Sequence, residues 1–169
     1  TSLAVTVLGH DRPGIIADVA GTLALLGGNL EDSSMTLLRG HFAMTLIVNG
    51  VDADAVIDHM DFLREEGLIV SVLPVPPAEA IAGDRDQYLL SVHGADRPGI
   101  VSALSAVVAV HGGNIVDLTT RLGTTMYVFT AEVEVPAGTD ITPMMTQLQE
   151  TADSIGVDVR LQPADADLI

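Results

Sequence analysis

Val7-Leu8-Gly9-His10-Asp11-Arg12-Pro13-Gly14-Ile15 returns 85 residues further on as Val92-His93-Gly94-Ala95-Asp96-Arg97-Pro98-Gly99-Ile100. At the same offset Gly27-Gly28-Asn29 returns as Gly112-Gly113-Asn114. From Val7 to Asp32 the gapless alignment keeps 12 of 26 positions, so the chain contains one domain twice. A solenoid needs three or more short units to bury a core, and two long copies read instead as two small globular modules. A functional site is then expected in a feature that both copies can build.

Around the first motif, Leu3 to Leu8 has strand length and composition. Pro13 to Leu26 then places Ile15, Ile16, Val19, Leu23 and Leu26 on one helical face. Asp11 reads as a helix N-cap, Pro13 suits the first turn, and Gly27-Gly28 supplies a left-handed ending. Two strands follow, 30–39 and 42–48, then a helix over 53–66 with Val56, Ile57, Met60 and Leu63 inward, and a strand over 68–73.

The order is β-α-β-β-α-β, which predicts an α+β fold of two ferredoxin-like βαββαβ domains, each a four-stranded antiparallel sheet with two helices on one face. The second copy reads as strand 88–92, helix 98–110, strands 115–122 and 126–135, helix 141–155 and strand 157–161. Domain 1 is placed at 1–74 and domain 2 at 87–163. Prolines, Gly and charge mark 75–86 as a fairly stiff linker, and 164–169 reads as a loose tail.

With 48% hydrophobic residues the chain can bury a real core in each half. No apolar run approaches the roughly 18 residues of a membrane helix, and no signal peptide pattern opens the chain, which predicts a cytoplasmic protein without membrane contact. Zero Cys excludes a disulfide framework, a thiolate nucleophile and a Cys-based zinc site. Seven basic against 23 acidic side chains give a net charge of −16, the wrong sign for a phosphate backbone, so direct nucleic-acid binding is not expected.

The turn between first strand and first helix carries the chemical interest. A helix N-terminus presents unpaired N–H groups and partial positive charge, which suit a carboxylate. Gly14 and Gly99 let a ligand approach the backbone, Asp11 and Asp96 accept from an ammonium group, and Arg12 and Arg97 meet an anion. An amino acid carries both charges. Asn29 and Asn114, after the first helix, offer donor and acceptor together. The same turns also serve as plain capping chemistry. What favours a ligand is that two of only seven basic residues recur in one place of a very acidic chain.

Gly-His-Asp-Arg-Pro-Gly-Ile followed by Gly-Gly-Asn-Leu-Glu-Asp-Ser resembles the ACT domain, a small ligand-sensing module of amino-acid metabolism. Two such domains together resemble the glycine cleavage system transcriptional repressor family. Related modules precede formyltetrahydrofolate deformylase and phosphoserine phosphatase domains. By position, the contacts of a serine-sensing ACT domain fall on Gly9, Asp11 and Asn29, and on Gly94, Asp96 and Asn114. Only the last Asn is retained: Gly replaces His, and Asp replaces Asn. His10 and His93 stand one residue to either side of the position where the family has His.

The resemblance implies a non-enzymatic regulator that binds a small amino acid of glycine or serine type and modulates a protein partner, such as a DNA-binding regulator of glycine cleavage. The alternative is a ligand-free interaction module, or a regulatory subunit of an amino-acid or one-carbon enzyme. Exposed sheet edges favour pairing, so a homodimer is expected.

No cofactor and no metal are expected. The five His residues form no familiar arrangement with Ser, and the acylphosphatase-like enzymes of the same fold order use a phosphate loop not reproduced here. Asp52, Asp54, Asp58, His59 and Asp61 read as a solvated helix face, lacking EF-hand spacing. Ser33 and Ser34 read as strand residues. Met35, Met44, Met60, Met126, Met144 and Met145 read as mostly core.

Overall fold

The computed structural model describes residues 2–76 and 83–164. Unit 1 is built from β1 (Ser2–His10), α1 (Ile15–Leu25), β2 (Asn29–Leu38), β3 (His41–Asn49), α2 (Ala53–His59), α3 (Asp61–Glu65) and β4 (Ile69–Val75). Unit 2 comprises β5 (Arg85–Gly94), α4 (Ile100–Val110), β6 (Asn114–Leu122), β7 (Tyr127–Pro136), α5 (Thr142–Ile155) and β8 (Val157–Pro163). Strands therefore reach into both ends of the expected linker. Its positions 77–82, and 165–169 of the expected tail, lie outside the described residues.

Each unit holds one antiparallel four-stranded sheet, ordered β2-β3-β1-β4 and β6-β7-β5-β8. This is the ferredoxin-like arrangement the element order predicts. Side chains alternate across a strand, so Leu3, Val5 and Val7 of β1 enter the core with Phe42, Met44, Leu46 and Val48 of β3. The helices close that face, and burying each large apolar side chain contributes roughly 1.5–3 kcal/mol. Unit 2 repeats the plan with Leu90, Val92, Phe129, Ala131 and Val133 under α4 and α5.

Several expectations are corrected. Ile15, Val19 and Leu23, spaced by four, are the buried stripe of α1, and Ile16 falls on its exposed flank. The expected 53–66 helix is two short ones, interrupted at the buried Met60 (φ −102°, ψ 7°). Arg64 supports the break, donating to the Ile57 carbonyl at 2.9 Å and to Asp61 at 2.6 Å. Met35, Met126 and Met145 are exposed, whereas Met44, Met60 and Met144 are core. Met35 shares the face of its cross-strand partner Met44, but β2 is an edge strand on which nearly every residue is exposed.

Candidate functional site

The motif turn leaves β1 at His10 and enters α1 at Ile15. Asp11 is not the N-cap. Its backbone N–H donates to the Gly40 carbonyl at 3.0 Å, so the chain is still tied to the β2–β3 hairpin there. The cap position is Gly14, with φ +92° and no side-chain cap; Gly99 repeats it at φ +90°. Left-handed backbone at both positions explains the repeated Gly.

Packing accounts for Gly94, and packing together with a φ of +154° accounts for Gly9. A Cβ on Gly9 would lie 2.6 Å from Leu68 Cδ2 and 3.3 Å from Leu68 Cα. On Gly94 it would lie 3.0 Å from Val157 Cγ1 and 3.2 Å from Val157 Cα. The strand beside the motif fills the space that a larger side chain would need.

Arg12 is the centre of the unit 1 turn. Its Nε donates to Glu66 at 2.7 Å, one terminal nitrogen to Asp18 at 2.8 Å, and the other to the Pro13 carbonyl at 3.0 Å. Hydrogen bonding to Asp18, then to Glu66, raises its pKa above the ordinary arginine value. Two carboxylates of its own unit thus already pair with Arg12, where the sequence alone leaves it open to an external anion. A cleft of about 380 Å³ borders this clamp, lined by His10, Asp11, Arg12, Glu66 and Leu68.

Unit 2 keeps the arginine and loses both partners. At the 85-residue offset Asp18 becomes Ala103, and aligning Gly67 with Gly156 places Ile155 where Glu66 stands. Among the described residues Arg97 has no ion pair or side-chain hydrogen bond. Its guanidinium lies over Gly156, where a Cβ would be 3.5 Å from it. Asp96 is exposed beside it, and His93 contacts Asp158 at 3.4 Å.

Asn29 and Asn114 are not part of these turns. Each opens the strand after the helix, exposed and paired across the ladder with Asn49 and Glu134 respectively. An 11-residue helix, about 16 Å long, separates each Asn from the motif turn of its own unit. Both strands then bulge, between Leu30 and Asp32 and between Ile115 and Asp117. Sequence reading missed Asp18, Glu66 and Leu68. The Asp18–Ala103 mismatch between two copies that both keep the arginine was the available signal for the first.

Asp52, from the acidic cluster, accepts from Ala55 N–H at 3.1 Å and caps α2, while Asp61 pairs with Arg64. Among the described residues no group of three or more His, Asp or Glu is placed to hold a metal ion. Among them also no helix is long and apolar enough to cross a membrane.

The fold, its duplication and the paired glycine turns define a tandem ACT-domain protein. The ACT domain family model matches residues 1–70 and 86–162, and the chain belongs to that family. It is similar to the glycine cleavage system transcriptional repressor of Escherichia coli, 28% identical over 127 residues, covering 70% of this chain and 64% of that protein. A UPF0237 protein of Methanopyrus kandleri is 46% identical over 66 residues, covering 39% of this chain and 70% of that protein. A crystal structure of an unknown protein from Galdieria sulphuraria covers 96% of this chain and 98% of its own, at 31% identity and TM-score 0.82. The crystal structure of a protein described as a glycine cleavage system transcriptional repressor matches at 17% identity and TM-score 0.68, covering 96% of each chain, and shares the fold.

Proposed function

We propose that this protein is a non-enzymatic, cytoplasmic regulator that binds a small amino acid, of glycine or serine type, and pairs with a second copy and with a protein partner. By its likeness to the repressor of that name, the process it serves is transcriptional control of glycine cleavage. At −16 it acts there through a DNA-binding partner and not on DNA itself.

The observation that carries the ligand reading is the unequal fate of the two arginines. Arg12 is neutralised by Asp18 and Glu66, whereas Arg97 has no carboxylate partner among the described residues. A ligand carboxylate at Arg97 and its ammonium at Asp96 would supply the missing charges. Gly94 and Gly99 frame that turn, and Asn114 is the remaining family position. In unit 1 the corresponding Gly9, His10, Asp11 and Gly14 flank an arginine already satisfied, with Asn29 at the far end of α1, so unit 2 is the better ligand site.

A thermal-shift screen of the chain against glycine, serine and the other amino acids tests this. Ligand at 100 times its Kd should stabilise by about 2.7 kcal/mol. A shift with one amino acid that disappears in Arg97→Ala and survives in Arg12→Ala supports the reading. No shift with any amino acid would favour the ligand-free interaction module.

A further inference from the structure

Three of the five histidines already have polar partners. His59 bonds the Ala55 carbonyl at 2.8 Å, His111 bonds Gln147 at 2.7 Å, and His93 stands 3.4 Å from Asp158. Among the described residues His10 and His41 have neither a hydrogen bond nor an ion pair on their rings, and these two are direct partners across the β1–β3 ladder.

Val5 and Val7 of β1 and Phe42 and Met44 of β3 point into the core. Alternation therefore puts His10 and His41 together on the opposite face, where both are exposed. The Asp11 N–H donates to the Gly40 carbonyl, one residue outward of each. That bond makes His10 and His41 a cross-strand pair without hydrogen bonds of its own, the kind whose side chains come closest, with Cβ atoms about 4.5–5.5 Å apart. The His10 ring leans over the hairpin, its Cε1 3.8 Å from the point where a Cβ on Gly40 would sit.

Unit 2 keeps neither histidine. Gly94 pairs with Tyr127 as Gly9 pairs with Phe42, so Ala95 and Met126 take the next places. Both imidazoles are present in one copy and both absent from the other, the pattern of two groups that serve one ligand.

We propose that His10 and His41 together bind one late first-row divalent ion of the Zn²⁺, Ni²⁺ and Cu²⁺ group. Neutral imidazole suits these ions, whereas Mg²⁺ and Ca²⁺ take oxygen ligands. A tetrahedral ion with bonds of about 2.0–2.1 Å needs the two ring nitrogens about 3.3 Å apart, which rings on such close Cβ atoms can reach. Among the described residues no third His, Asp or Glu completes the set, so the other coordination positions stay open to solvent or a small ligand. The ion is therefore exchangeable, unlike one in a closed four-ligand structural site. Bound there, it straps the end of β1 to the β2–β3 hairpin, beside the Asp11–Gly40 bond that holds the motif turn.

Calorimetric titration of the whole, tag-free chain with Zn²⁺ and with Ni²⁺ at neutral pH is the test. Wild type should bind one ion per chain. His10→Ala and His41→Ala should each weaken binding about tenfold or more, with circular dichroism native because both side chains are exposed. His59→Ala and His93→Ala should leave the affinity unchanged, and Mg²⁺ should not compete. On wild type, Zn²⁺ should move the ring ¹⁵N signals of two histidines and leave the other three in place. A chain that binds neither ion overturns the proposal, as does binding that persists in both His10→Ala and His41→Ala. Displacement by Mg²⁺ would overturn it too, by placing the ion on surface carboxylates.

Discussion

Arg12 Nε donates to Oε2 of Glu66 at 2.7 Å, across 54 residues of sequence, and the same guanidinium holds Asp18 at 2.8 Å. One side chain thereby ties the motif turn to the first turn of α1 and to the end of α3. Arg12→Ala should lower the melting temperature, and Arg97→Ala, with no such partners, should not. The Arg12 side chain is one-third exposed, so salt should shrink the difference between wild type and Arg12→Ala.

Because the folded state raises the Arg12 pKa, its contribution is fully present below the unfolded value and fades only as pH rises through the folded one. Unfolded arginine titrates above about pH 12, so the gap in melting temperature should be constant from neutrality to about pH 10. A gap that closes within that range would refute the assignment.

Gly9→Ala should destabilise the protein by about 1–3 kcal/mol, through overpacking and through a backbone at φ +154° that disfavours a side chain. The Leu68 side chain can rotate away from a new methyl, but the Leu68 Cα, 3.3 Å away, moves only with the strand. Urea denaturation would show this as a lower midpoint with an unchanged slope. An unchanged midpoint would return Gly9 to the list of residues kept for a ligand.

The two aspartates that precede helices should separate in the same assay. Asp52 caps α2 through the Ala55 amide, so Asp52→Ala should cost about 1 kcal/mol. Asp11 makes no such bond, and Asp11→Ala should stay within about 0.5 kcal/mol of wild type. Equal losses would mean that Asp11 does cap α1 in solution.

That contrast also marks where sequence reading succeeds and where it stops. The end of α1 is legible because Gly27 takes φ +81° and returns its N–H to Ala24, a local pattern that few residues but Gly permit. The start is misread because Asp11 looks like a cap locally, while the hairpin carbonyl of Gly40, 29 residues on, holds its backbone in place. Met60 fits one continuous helical stripe in sequence, and only the structure reveals the interruption there. At the candidate site the turn and its glycines are legible. The Arg12–Glu66 pair is not, because no local periodicity connects residues 54 positions apart that meet only when β4 pairs with β1. Edge exposure of Met35 is hidden for a related reason: alternation assigns a face but not whether a helix covers it.

Asp140 provides a pH test independent of the arginines. It accepts from the Thr142 N–H at 3.0 Å at the start of α5, and that backbone bond, followed by the Thr142 hydroxyl, holds its pKa below the ordinary carboxylate value. The folded state therefore prefers the ionised form, and the unfolded chain takes up the proton first as acid is added. Its stabilisation is present above the unfolded value, about 3.9, and is lost as pH falls through the lower folded value. Asp140→Ala should thus lower the melting temperature at neutral pH, and the deficit should narrow below about pH 4. Asp140→Asn, which keeps an acceptor but no titrating group, should lie between them at neutrality with a shallower acid limb. A deficit in the alanine variant that is the same at acid and neutral pH would show that the carboxylate charge contributes nothing to the start of α5.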